Sequence, residues 1–154
     1  MPEIIGIALA CLIVAAIAAY VIVDGIFEKK ERARCRQLFV PLIGAPIKLV
    51  GQHYSKRYDI TGVHHGQHVA IHCPVVSIFA RSLRVLSLSV PLADKDLDPQ
   101  LLAGDPVELH GRTFRKYGDQ LRLILNPPLV FTPDTDPQSF RDRVAAELDA
   151  LCNL

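Results

Sequence analysis

Neither sign of charge prevails in this sequence: 17 lysines and arginines oppose 16 aspartates and glutamates, a formal net charge of +1. So even a balance creates no global field to draw the chain onto a polyanion, and nucleic acid is not expected among its partners. Aromatic residues make up only 6%, leaving few stacking platforms beside the one basic cluster, Arg112, Arg115, Lys116 and Arg122. Arg112 and Arg122 read as ordinary solvent-facing strand residues. The four cysteines, Cys11, Cys35, Cys73 and Cys152, contain no CxxC pair and no regular disulfide framework.

Catalytic signatures are missing as well. There is no GxSxG elbow, no SxxK, no HExxH, and none of the glycine spacings that cradle a phosphate or a dinucleotide. Asp94 with Asp96, and Asp134 with Asp136, lie in polar turns beside proline or lysine, where carboxylates serve as caps. Cys73 falls in a strand-like apolar run, where a thiol is buried and unreactive. The chain is therefore not expected to be an enzyme or to carry a cofactor.

What the sequence does have in abundance is a charge-free stretch. Ile4 to Val23 reads IIGIALACLIVAAIAAYVIV, and a helix of that length, at about 1.5 Å per residue, matches the roughly 30 Å hydrocarbon core of a bilayer. No basic region precedes it, as one would in a cleaved signal peptide, so it reads as an uncleaved anchor. Lys29, Lys30, Arg32, Arg34 and Arg36 follow it within a few turns, whereas only Glu3 carries charge before it. By the positive-inside rule the N-terminus lies outside and the rest of the chain in the cytoplasm, in a bacterial inner membrane, with the thiols reduced. Those five cations also lie where anionic headgroups would meet them. Ala8, Cys11, Ala15 and Ala19 recur at spacings of three and four, forming a face of small side chains on which a second membrane helix, from another protein or a second copy, can approach closely.

Beyond the anchor, apolar and β-branched runs alternate with turn signals. The pattern predicts strands over residues 47–50, 58–64, 67–76, 83–90, 107–115 and 120–125, with a short one over 129–131. Hairpins are expected at His65 and Gly66, and at Gly118 with either Tyr117 or Asp119. Asp98, Pro99 and Gly104 frame a short helix. Asp136 and Pro137 open a final amphipathic helix with Phe140, Val144, Leu148 and Leu151 on one stripe, packing on the β-module or on a partner. The fold class that follows is mainly β: an N-terminal transmembrane helix, a small antiparallel barrel or sandwich, OB-like among the options, and a C-terminal amphipathic helix. The layout is a tail (1–3), the membrane helix (4–23), a basic juxtamembrane stalk (24–44), the β-module (45–133) and the last helix (134–154).

HHGQHVAIHC, His64 to Cys73, concentrates four histidines and a cysteine. With the turn at His65 and Gly66, His64 faces Gln67, Val63 faces His68, Thr61 faces Ala70 and Asp59 faces His72. His68 and His72 then share the more polar face about 13 Å apart, too far to hold one ion between them. His72 is expected to pair with Asp59. A metal site would need His64, His65 and His68 to converge at the turn, with His53 joining from a neighbouring loop. Two functions follow from these features. The first is a membrane-anchored scaffold or accessory subunit that presents its cytoplasmic module to other proteins of a membrane complex. The alternative is a membrane-tethered sensor that binds a metal, a proton or a small ligand through the histidine-rich hairpin.

Overall fold

A computed structural model describes residues 2–44, 48–50, 57–74, 82–92, 97 and 99–154. Residues up to Cys35 form one compact unit and Arg36–Leu154 a second. One helix, α1 (Pro2–Ile43), contributes to both. In the first unit it is apolar and exposed on every side from Ile5 to Val23, and it is long and apolar enough to cross a membrane. The segment read as a stalk is helical too, and the helix runs past Pro41 to end where Gly44 takes a left-handed conformation (φ +68°), a common helix stop.

The second unit is built on one antiparallel sheet. Its strands are β1 (Lys48–Val50), β2 (Arg57–His64), β3 (Gln67–Pro74), β4 (Leu83–Pro91), β5 (Val107–Leu109), β6 (Arg112–Tyr117) and β7 (Gln120–Phe131). They lie in the order β1-β2-β3-β4-β7-β6-β5. Register aligns a row of apolar residues straight across five strands: Ile60, Ile71, Leu88, Leu123 and Phe114, all buried. Side chains alternate between faces along each strand, so the neighbouring row, Thr61, Ala70, Ser89, Arg122 and Arg115, lies on the other face.

The final helix, α3 (Pro137–Cys152), covers the apolar face. Its start is set by the Asp136 carboxylate, which accepts from the Ser139 backbone N–H at 2.7 Å, with Pro137 just inside. Its stripe of Phe140, Val144, Leu148 and Leu151 is buried. Phe140 stands edge-on to Phe131 from β7 and to Phe39 from the last turns of α1, at centroid distances of 5.3 and 6.3 Å. Each large apolar side chain buried in this way contributes about 1.5–3 kcal/mol.

This cover corrects the expected barrel or sandwich. The sheet is open, with β1 and β5 as its two edges among the described residues. Helices α3 and the end of α1 take the apolar face out of water, so the sheet need neither curl shut nor stack on a second sheet. The same packing buries the α3 stripe: of the two placements expected for Phe140, Val144, Leu148 and Leu151, they take the one in the unit's own core.

Two strand boundaries also differ. The expected strand over 107–115 is a hairpin, β5–β6, because His110 and Gly111 both take positive φ (51° and 73°) and turn the chain. The expected break before residue 129 is absent. Instead β7 continues through Asn126, Pro127 and Pro128, where its register against β4 shifts between Val85 and Ser87. Prolines, which cannot donate to the ladder, are tolerated at such an irregularity. The short helix α2 (Pro99–Leu102) is present, while its expected cap, Asp98, lies outside the described residues.

Candidate functional site

The β2–β3 hairpin has the expected register, with His64 opposite Gln67, Val63 opposite His68, Thr61 opposite Ala70 and Asp59 opposite His72. Its two turn residues, His65 and Gly66, both have positive φ, 47° and 82°, the pattern of a type I′ turn whose twist suits a two-residue hairpin. Adjacent residues on a strand point to opposite faces. The left-handed backbone at His65 undoes that alternation, so the His64 and His65 rings come together, edge to face, with centroids 4.2 Å apart.

His64 is 6% exposed and sits on the helix-covered side of the sheet. Its Nδ1 lies 2.8 Å from the Leu42 carbonyl oxygen at the end of α1, and its Nε2 lies 2.7 Å from Asp149 Oδ1 on α3. His65 Nε2 reaches the same carboxylate oxygen at 3.2 Å. Gln67 adds a further tie, its side-chain amide donating to the Cys152 carbonyl at 3.2 Å. The hairpin tip is therefore fastened to the last turns of α3 by three side chains. Two imidazole nitrogens and a carboxylate oxygen converge there, each within 4.8 Å of the others.

A different set of polar groups runs across the opposite face. Asp59 Oδ1 lies 2.7 Å from His72 Nδ1, His72 Nε2 lies 3.0 Å from Ser89 Oγ, and Ser89 donates to Gln120 Oε1 at 3.1 Å. The order carboxylate, imidazole, hydroxyl resembles a hydrolytic triad in outline. Ser89, however, is 0% exposed, so no substrate carbonyl can reach its Oγ in this conformation. The chain of contacts links β2, β3, β4 and β7 as a polar strut. Beside it opens a pocket of about 410 Å³ lined by Thr61, Val63, His68, Ser89 and Gln120, among others.

Of the histidines considered from sequence, His64 and His65 come together, His68 projects from the opposite face and is exposed, and His53 lies outside the described residues. The third member of the cluster, Asp149, is not among the residues the sequence singles out. It lies 85 positions from His64, and the only hint of it in sequence is its place next to Leu148, on the flank of the stripe that packs against the sheet. Lys29, Lys30 and Arg36 are exposed on α1, and Arg34 lies 3.8 Å from Glu31. Ala8, Cys11, Ala15 and Ala19 are exposed along the same helix. Arg112, expected to face solvent, is partly exposed and also grips Glu147 of α3 with two nitrogens, Nε to Oε2 at 2.6 Å and Nη2 to Oε1 at 3.3 Å. Arg122 and Arg115 lie against the Tyr117 ring, with guanidinium carbons 4.5 and 5.1 Å from its centroid. Compared with known proteins, the chain matches no family model, no curated protein and no solved structure.

Proposed function

We propose that this is a single-pass membrane protein whose soluble unit serves as a scaffold or accessory subunit of a membrane complex. The observation that carries this reading is the composition of α1. One continuous helix holds a fully exposed, charge-free run from Ile5 to Val23, and its far end supplies Leu38, Phe39 and Ile43 to the core of a folded unit. A helix that exposes so much apolar surface has a large free-energy incentive to leave water. Lys29, Lys30, Arg32, Arg34 and Arg36 favour a cytoplasmic placement of everything after the anchor. The small-residue face at Ala8, Cys11, Ala15 and Ala19 offers a close approach to a second helix, of another protein or of a second copy.

The test is fractionation and crosslinking of the full-length protein in its native membrane. Retention in the pellet after an alkaline carbonate wash, degradation of the soluble unit by protease only when the cytoplasmic side is opened, and discrete crosslinked species that vanish when residues 4–23 are replaced by a soluble helix are the expected results. Release by carbonate would sink the anchor, and recovery of a free monomer under mild extraction would sink the scaffold.

A further inference from the structure

We infer that His64, His65 and Asp149 form a binding site for a divalent cation of the zinc class, with solvent completing the coordination. The inference is independent of the anchoring proposal, since all three residues belong to the Arg36–Leu154 unit.

The geometry of His64 carries the argument. Its Nδ1 faces the Leu42 carbonyl at 2.8 Å, an oxygen that can only accept, so Nδ1 carries the hydrogen. In a neutral ring Nε2 is then the lone-pair nitrogen, and it points at Asp149 Oδ1 from 2.7 Å. A lone pair and a carboxylate oxygen do not attract each other, so a cation belongs between them: a proton or a metal ion. A backbone carbonyl fixing one ring nitrogen while the other ligates is the usual outer arrangement of a metal-bound histidine.

The third ligand favours the metal. A metal ion, unlike a proton, can use a further ligand atom, and His65 Nε2 stands 3.2 Å from the same carboxylate oxygen, so that three ligand atoms converge. Ligands about 2.0–2.2 Å from a tetrahedral ion stand roughly 3.3–3.5 Å apart. The His65–Asp149 pair nearly has that separation, and the His64–Asp149 pair needs to open by well under 1 Å. The left-handed turn at His65 is what brings its ring to this side of the hairpin. Two nitrogens and one oxygen suit zinc, cobalt or nickel better than calcium or magnesium, which prefer all-oxygen shells. His64 is nearly buried, whereas the His65 and Asp149 side chains are 73% and 46% exposed, which leaves the remaining coordination position open to water.

The experiment uses the full chain in detergent, purified without a histidine tag, stripped with a chelator and titrated with Co²⁺ and Zn²⁺. We expect one ion per chain, a visible Co²⁺ spectrum of tetrahedral intensity, and a rise in Tm on adding Zn²⁺. His65→Ala and Asp149→Asn should each weaken binding at least tenfold and abolish the Co²⁺ spectrum. His65 holds a left-handed turn position, so His65→Asn, which tolerates that backbone, is measured beside His65→Ala, and an unchanged circular dichroism spectrum verifies that folding is intact. His110→Ala removes the exposed histidine at the matching place in the β5–β6 turn and should leave binding unchanged. Absence of stoichiometric uptake, or uptake that survives both His65→Ala and Asp149→Asn, would overturn the site and leave His64–Asp149 as a proton-bridged pair.

Discussion

A Cβ placed on Gly62 would lie 2.6 Å from the Ile43 carbonyl oxygen and 2.8 Å from the Ile43 side chain. The end of α1 thus lies tight against β2 at a position where β2 has no side chain. Gly62→Ala should force backbone against backbone and destabilise the protein by about 1–3 kcal/mol, the usual cost of overpacking. Chemical unfolding of the full chain in detergent measures this directly, and an unaltered midpoint would mean that the contact yields without cost.

The strut on the other face makes a second prediction. Ser89 Oγ is buried between His72 Nε2 and Gln120 Oε1, so Ser89→Ala leaves two polar atoms short of a protein partner in a largely buried strut. The expected loss is about 1–3 kcal/mol. Ser89→Thr keeps the hydroxyl and should recover part of it, with the added methyl opposing. Equal stability of wild type and Ser89→Ala would show that the hydroxyl is dispensable to the strut.

Arg112 and Glu147 tie the β5–β6 turn to α3 much as His64 and Asp149 tie the β2–β3 turn. The pair is paired through two nitrogens but partly open to solvent, with side chains 32% and 23% exposed, so its coupling should be modest, about 0.5–1 kcal/mol. A double-mutant cycle with Arg112→Ala and Glu147→Ala should return that figure at low salt and less at 1 M salt. A salt-independent coupling would point to packing of the arginine stem as the real contribution.

How far the sequence could be read depended on whether the deciding physics was local. The alternation Ile60, Val69, Ile71, Cys73 and a turn dipeptide suited to positive φ placed the first hairpin in register, including the Asp59–His72 pair. The second turn uses the same dipeptide, His110–Gly111, but its flanks alternate weakly and it merged into one long strand. Prolines at 127 and 128 imitated a strand end because their accommodation depends on a register shift in a neighbouring strand. The open sheet and Asp149 were out of reach for a shared reason: where α3 docks is decided by packing across the whole sheet. A periodic stripe reveals that a helix has an apolar face, not which strands it will cover.

Cys35 supplies the last prediction, a dependence on alkaline pH. The thiol is buried on α1, and burial, with the nearby Glu31 carboxylate assisting and Arg34 opposing, pushes its pKa from 9.0 up to about 12. Below pH 9 the thiol is protonated in both folded and unfolded chains, so it adds no pH dependence. Between pH 9 and 12 the unfolded chain releases the proton while the folded one keeps it, so stability falls as pH rises, by up to about 1.4 kcal/mol per pH unit from this group. Lysines and tyrosines titrate over the same range, so the diagnostic quantity is the difference in slope between wild type and Cys35→Ala, whose stability should decline less steeply above pH 9. The same protonated, enclosed thiol should resist iodoacetamide at pH 8 in the folded protein and react at the rate of a free cysteine once the chain is denatured. Rapid alkylation of Cys35 itself in the folded protein, read by peptide mapping because Cys11 is exposed, or parallel slopes for the two proteins, would mean that Cys35 is open to solvent.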